Sequence, residues 1–226
     1  MMARTYRALS ALLSYPTEEL QAATDEIADI LEREGLVPPP RALLADLADG
    51  DLYELQARYV DLFDRGRATS LYLFEHVHGE SRDRGQAMAD LLDLYRRGGL
   101  EMTAAELPDF LPLFLEFLST QPDAEARALL AEPARILRAL AGQLTRRDAA
   151  YAAVLDALAT LGGAPAEEAS VLPEDPPEDL ATLDAAWEEQ AVRFGPGEAL
   201  DGCSADRLRT RLRAEARRGP TEEAAP

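Results

Sequence analysis

Two histidines, His76 and His78, stand one residue apart between Glu75 and Glu80, and the chain has no others. Imidazole and carboxylate groups together are a ligand set for zinc or iron. On a β-strand, a His-x-His pair turns both rings to one face. Here the flanking residues show no strand period, and a third histidine is missing. A metal-dependent enzyme built on Glu75, His76, His78 and Glu80 is therefore the second reading of the cluster. The first is a polar loop that shapes or forms a binding surface. Covalent catalysis has less support still. Ser70, Ser81 and Cys203 have no triad-like surroundings, and the chain contains neither Gly-x-Ser-x-Gly nor a phosphate-cradling glycine loop.

The same region is rich in guanidinium groups. Arg82 and Arg84, with Arg65 and Arg67, can bind a phosphate or a carboxylate. They can equally pair with Glu75, Glu80 and Asp83 and so pin the loop. Ser81 suits the cap of a following helix and Asp83 its first turn. Further along, Phe110 to Leu118 is apolar nearly all round, with Glu116 as its one interior charge, which predicts a central buried helix. With Asp109 as its N-cap, Pro112 falls at the third helical position, where the amide is free anyway. Asp109 and Glu116, seven residues apart, then share a face. An unpaired buried carboxylate is costly, so Glu116 is expected to take an arginine from the loop as its partner.

Helices must position these groups. Tyr6, Leu9, Leu12 and Leu13 predict a first helix stopped by Pro16. Leu20, Ala23, Ile27, Ile30 and Leu31 predict a second that ends at Gly35. After the stiff Pro38-Pro39-Pro40 link, Leu43, Leu44 and Leu47 start a third helix. Beyond a break near Gly50, Leu52, Leu55, Tyr59 and Phe63 continue on one face. Asp64 to Arg84 lacks helical period and reads as a long ordered loop with one short turn. Met88, Leu91, Leu92 and Tyr95 define an amphipathic helix closed by Gly98-Gly99. Ile136, Leu137, Leu140 and Leu144 mark another. Tyr151, Val154, Leu155 and Leu158 mark the last, which ends at Gly162-Gly163.

Composition agrees with an all-α fold. Val and Ile are scarce, at six and three, while Ala, Leu, Glu and Arg dominate. The net charge of -19 disfavours nucleic acid and anionic lipid and favours a basic or apolar partner. The single cysteine cannot form an internal disulfide, which fits a reducing compartment. The apolar stretch Ala8 to Leu13 is too short for a signal-peptide core, and no run has a membrane-spanning length. These features predict a cytoplasmic protein without membrane insertion. Between Glu167 and Glu189 lie nine acids, no arginine and three prolines, the composition of a solvated linker. The expected organisation is a single helical-bundle domain over residues 1–163, then an acidic linker over 164–199. Leu183, Trp187, Val192 and Phe194 would anchor that linker on the body. A poorly structured Arg-rich tail over 200–226 completes the chain.

Three stretches resemble the NarJ family, the respiratory nitrate reductase assembly chaperones also called the delta subunit. The first runs from Tyr59 to Arg67, YVDLFDRGR, into Ser70 to Met88, SLYLFEHVHGESRDRGQAM. The others are Glu106 to Leu118, ELPDFLPLFLEFL, and Asp184 to Phe194, DAAWEEQAVRF. The resemblance implies the all-helical fold of the redox enzyme maturation chaperones and no enzymatic activity or resident cofactor. It implies a partner, the apo catalytic (alpha) subunit of membrane-bound nitrate reductase, held by its N-terminal segment. Molybdenum cofactor insertion, with its delivery proteins as further partners, would then precede membrane attachment. The client site expected on these grounds comprises Tyr72, Phe74, Glu75, His76, His78, Gly79, Glu80, Ser81, Arg82, Arg84 and Met88 from the loop and the helix that follows it. Asp109, Phe114 and Glu116 from the apolar helix complete it.

Overall fold

The computed structural model describes residues 2–77, 83–102, 106–147 and 149–166. The tail expectation and that for the linker beyond residue 166, with Trp187, Phe194 and Cys203, therefore lie outside the described residues. Within them the regular elements are all helices, and the only strand-like pairing is one isolated antiparallel bridge between Tyr72 and Phe110. None of the described helices is long and apolar enough to cross a membrane.

The centre is built from α1 (Met2–Leu12) packed on α8 (Leu111–Thr120). α1 turns Met2, Tyr6, Leu9 and Leu12 inward at helical spacing. α8 buries Leu111, Phe114, Leu115, Phe117 and Leu118, so it is the buried helix that its apolar run predicted. Two details of that expectation change. Asp109 is not its N-cap; Phe110 is, and Pro112 falls at the second helical position, where no intrahelical donor is lost. Glu116 is exposed, so water solvates its charge and the arginine partner expected for it is not required. One charged residue in an apolar helix marks its solvent edge here, and Ser10 Oγ, donating 2.7 Å to the Pro112 carbonyl, ties the packed face to α1.

The predicted second helix is two. α2 (Glu18–Ala22) ends where Thr24 Oγ1 donates to the Gln21 carbonyl, and α3 (Thr24–Glu34) follows at once. Gln21 Nε2 holds the junction by donating to Leu47 O and Gly50 O, at 2.8 and 2.9 Å. Gly35 closes α3 in the left-handed region, φ 60°, as its type suggested. α4 (Arg41–Asp49) and α5 (Leu52–Phe63) match the sequence pattern, with the Asp51 carboxylate capping Tyr53 and Glu54. Tyr59 of α5 donates from its hydroxyl to Leu13 O at 2.8 Å and stacks among Tyr15, Phe63 and Tyr151.

A short helix and a long one complete the middle of the chain: α6 (Leu73–Val77) and α7 (Asp83–Arg97). α7 buries only Tyr95 fully, whereas Met88, Leu91 and Leu92 are half-buried. α9 (Asp123–Ala131) has no counterpart in the sequence reading, because its inward face is only Ala126 and Leu130. The extensive pair α10 (Ala134–Arg146) and α11 (Ala152–Leu161) closes the described body. Arg138 is buried between them. It pairs with Asp156 and donates to Thr160 Oγ1 and Ala164 O, at 3.0 and 3.1 Å.

Candidate functional site: a polar clasp between residues 70–77 and 106–111

The residues with chemical potential converge where the end of the 64–72 loop meets the segment leading into α8. The Tyr72–Phe110 bridge is framed by Leu73 N donating to Asp109 O at 3.0 Å and Leu111 N donating to Leu71 O at 2.9 Å. The Tyr72 and Phe110 rings lie 5.3 Å apart, centroid to centroid. α7 supports the far side, with the Tyr95 hydroxyl donating to Pro108 O at 2.7 Å. Tyr95 in turn packs on Phe117 of α8, at 4.8 Å.

Asp109 is the pivot of this clasp. α6 has only five residues, too few to be stable alone, and its first amides need acceptors. Asp109 supplies two. Its carbonyl takes the Leu73 N–H, and its Oδ2 takes the Phe74 N–H at 2.9 Å. The role of Asp109 is therefore to cap α6 across the chain, not α8 beside it. The side chain is 0% exposed, and its second oxygen, Oδ1, has no hydrogen-bond partner among the described residues. Burial raises the Asp109 pKa above the ordinary carboxylate range; the Phe74 N–H and the Arg84 charge oppose that rise, and Glu75 adds to it. Arg84, at the start of α7, lies 3.6 Å from Glu75, with the two side chains 27% and 23% exposed.

Carboxylates also flank the other side of the bridge. The Tyr72 hydroxyl donates to Glu106 Oε2 at 2.7 Å. Burial, and then the Glu106 charge, raises the Asp64 pKa. Asp64, Glu106, Glu75 and Asp109 thus border the clasp. Val77 and Leu107 are exposed apolar residues beside it, at 54% and 46%.

The structure brings together Tyr72, Phe74, Glu75, His76, Arg84 and Asp109 of the expected site residues. His76 Nε2 lies 2.8 Å from Ser70 O, so its ring is tied to the loop backbone. Ser70 itself is buried, its hydroxyl accepting from Tyr72 N at 3.2 Å. Met88 is half-buried on α7. Phe114 faces the core at 5% exposure, and no described hydrogen bond or ion pair joins exposed Glu116 to the clasp. His78, Gly79, Glu80, Ser81 and Arg82 lie outside the described residues. Asp64, Glu106, Leu107 and Tyr95 escaped the sequence reading as site residues. Tyr95 carried a core-spacing signal that concealed its hydroxyl, and Glu106 stood in a stretch that carried the family resemblance, ahead of the apolar run, with no spacing that marked its carboxylate.

The family described as nitrate reductase delta subunit matches residues 14–157. Nitrate reductase molybdenum cofactor assembly chaperone NarJ of Escherichia coli (strain K12) is 43% identical over 195 residues, covering 82% of this chain and 83% of that protein. A second protein of the same strain, NarW, described as a probable chaperone of the same kind, is 42% identical over 192 residues, covering 83% and 82%. A solved structure, described as a candidate redox enzyme maturation protein from Archaeoglobus fulgidus, shares the fold with a TM-score of 0.51 at 23% identity. The match covers 71% of this chain and 93% of that one.

Proposed function

This chain belongs to the nitrate reductase delta subunit family, and from that premise we propose that it is a molybdenum cofactor assembly chaperone acting through the clasp. The client is the apo catalytic subunit of a respiratory nitrate reductase, held in the cytoplasm by its N-terminal segment. Cofactor delivery proteins meet the subunit in that state, and membrane attachment follows. The relatives at 42% and 43% identity are named as assembly chaperones, which supports a binding role over a catalytic one.

The observation that carries the reading is the clasp itself. Four carboxylates, Asp64, Glu75, Glu106 and Asp109, border it, and Val77 and Leu107 lie exposed beside it. Apolar groups with an acidic border suit an amphipathic segment with basic residues on its polar side. The net charge of -19 adds long-range attraction to such a segment and raises its association rate.

Calorimetric titration of the full chain with a peptide of the client's N-terminal sequence tests the proposal, alongside co-purification with the tagged apo subunit. Binding that weakens on Tyr72→Ala or Glu75→Ala, with an unchanged circular dichroism spectrum, is the expected result. Wild-type affinity in both variants places the client elsewhere on the molecule.

A further inference from the structure

The charges at the clasp are incompletely matched. Arg33–Asp29 and Arg41–Glu32 close to 2.7 Å, yet they are surface pairs more than 45% exposed on every side chain, where such pairs contribute little. Arg84–Glu75, more than two-thirds buried on both sides, stays open at 3.6 Å. That exceeds the hydrogen-bonding range of a charge-assisted pair. Beside it, Asp109 presents a fully buried oxygen with no donor among the described residues. Buried polar atoms are almost always satisfied, and a desolvated carboxylate with one empty oxygen favours any donor that can reach it.

We infer that Arg84 is an internal stand-in for a cation of the client, and that a guanidinium or ammonium group of the bound segment replaces it between Glu75 and Asp109 Oδ1. The inference rests on the clasp being the client site. Two carboxylate faces with one loosely held guanidinium suit a planar donor fork better than a single point charge. Arg84 stands in the first turn of α7, where a positive charge opposes the helix dipole. Its release is therefore favoured electrostatically at the helix end as well. The free protein keeps its buried acids partly neutralised until a better-placed cation arrives, and apolar segments without a cation leave Arg84 where it is.

The test uses the full chain and two synthetic amphipathic peptides with one apolar pattern, one carrying arginine and the other citrulline on the polar side. In calorimetric titrations, wild type is expected to prefer the arginine peptide. Arg84→Gln is expected to bind that peptide tighter by roughly threefold to tenfold, the range of one modest hydrogen-bonding interaction, and to bind the citrulline peptide as wild type does. Unchanged or weakened binding of the arginine peptide by Arg84→Gln overturns the exchange, as does an equal gain for citrulline. Binding of both peptides by wild type without preference overturns the exchange alone. Binding of neither overturns the clasp as client site and the exchange with it. Nuclear magnetic resonance of the Arg84 side-chain Nε–H in wild type decides independently of how the variant folds. That signal should shift on saturation with the arginine peptide and stay in place with citrulline, and a fixed signal in both titrations sinks the proposal.

Discussion

The α1–α8 centre and the clasp adjoin one another yet are held by opposite means. The centre is a set of interdigitated apolar faces, with Leu9, Leu12, Leu115 and Leu118 fully buried and polar links such as Ser10 to Pro112 confined to its margin. The clasp is held by directed bonds: two backbone pairs, one carboxylate cap, and tyrosine hydroxyls on Glu106 and Pro108. Non-directional burial tolerates repacking, whereas a bonded clasp has distinct made and unmade states. The proposed client surface is thus of the second kind, on a rigid support of the first.

Substitutions that separate the two regions span a graded range of effects. Phe117→Ala strikes the support, where the ring is 1% exposed and packs on Tyr95. Thermal or urea melts should show a loss of roughly 3–5 kcal/mol, while peptide affinity measured well below the midpoint should hold. Equal losses in both readouts would show that the support and the clasp are one unit. Asp109→Ala removes the Phe74 acceptor and should cost about 1–3 kcal/mol of stability, together with client binding. Tyr95→Phe deletes only the hydroxyl that reaches Pro108 O and should cost about 0.5–1.5 kcal/mol by the same melts. Glu75→Ala should leave the melting temperature nearly unchanged and weaken client binding by roughly 1–3 kcal/mol if the group is desolvated in the complex.

The pH dependence of stability sharpens the contrast at one atom pair. Burial raises the folded-state pKa of Asp109, so the native chain holds this proton to higher pH than the unfolded chain, whose value is about 3.9. Between the unfolded value and the raised one, the unfolded state binds fewer protons, and the contribution of Asp109 to stability falls as pH rises. Asp109→Asn removes that slope. The difference between wild-type and variant urea-melt free energies should therefore change across acidic pH and level off above it. A flat difference would show that Asp109 titrates normally.

Much of the support was legible in the sequence, because burial of one helical face leaves a period in the residue types. Leu9 and Leu12, Leu55 and Tyr59, and Val154 and Leu158 all face inward as their spacing predicts. Gly35 ends its helix in the left-handed region, as predicted for a glycine stop. α9 was missed because alanine buries too little surface to mark a face. Glu116 was misread because one charge in an apolar run indicates a helix edge as readily as a buried pair. In the clasp, residue types drew attention to Tyr72 and Glu75, but geometry did not follow. The bond from Phe74 N to Asp109 spans 35 residues, and no local pattern encodes which distant carboxylate caps which helix.

That long-range cap has a consequence for the order in which the molecule assembles. A five-residue helix cannot nucleate by itself, and its first two amides find their acceptors only once the chain has closed a loop of more than thirty residues, at an entropic cost that grows with the logarithm of that length. α6 is therefore a late event, imposed by the docking of Asp109 and not by its own residues. The amides of Leu73, Phe74 and Leu111 should accordingly lose protection against deuterium together, in one local opening beneath the global unfolding free energy, while the amides of α1 and those of α8 from Leu115 onward stay closed.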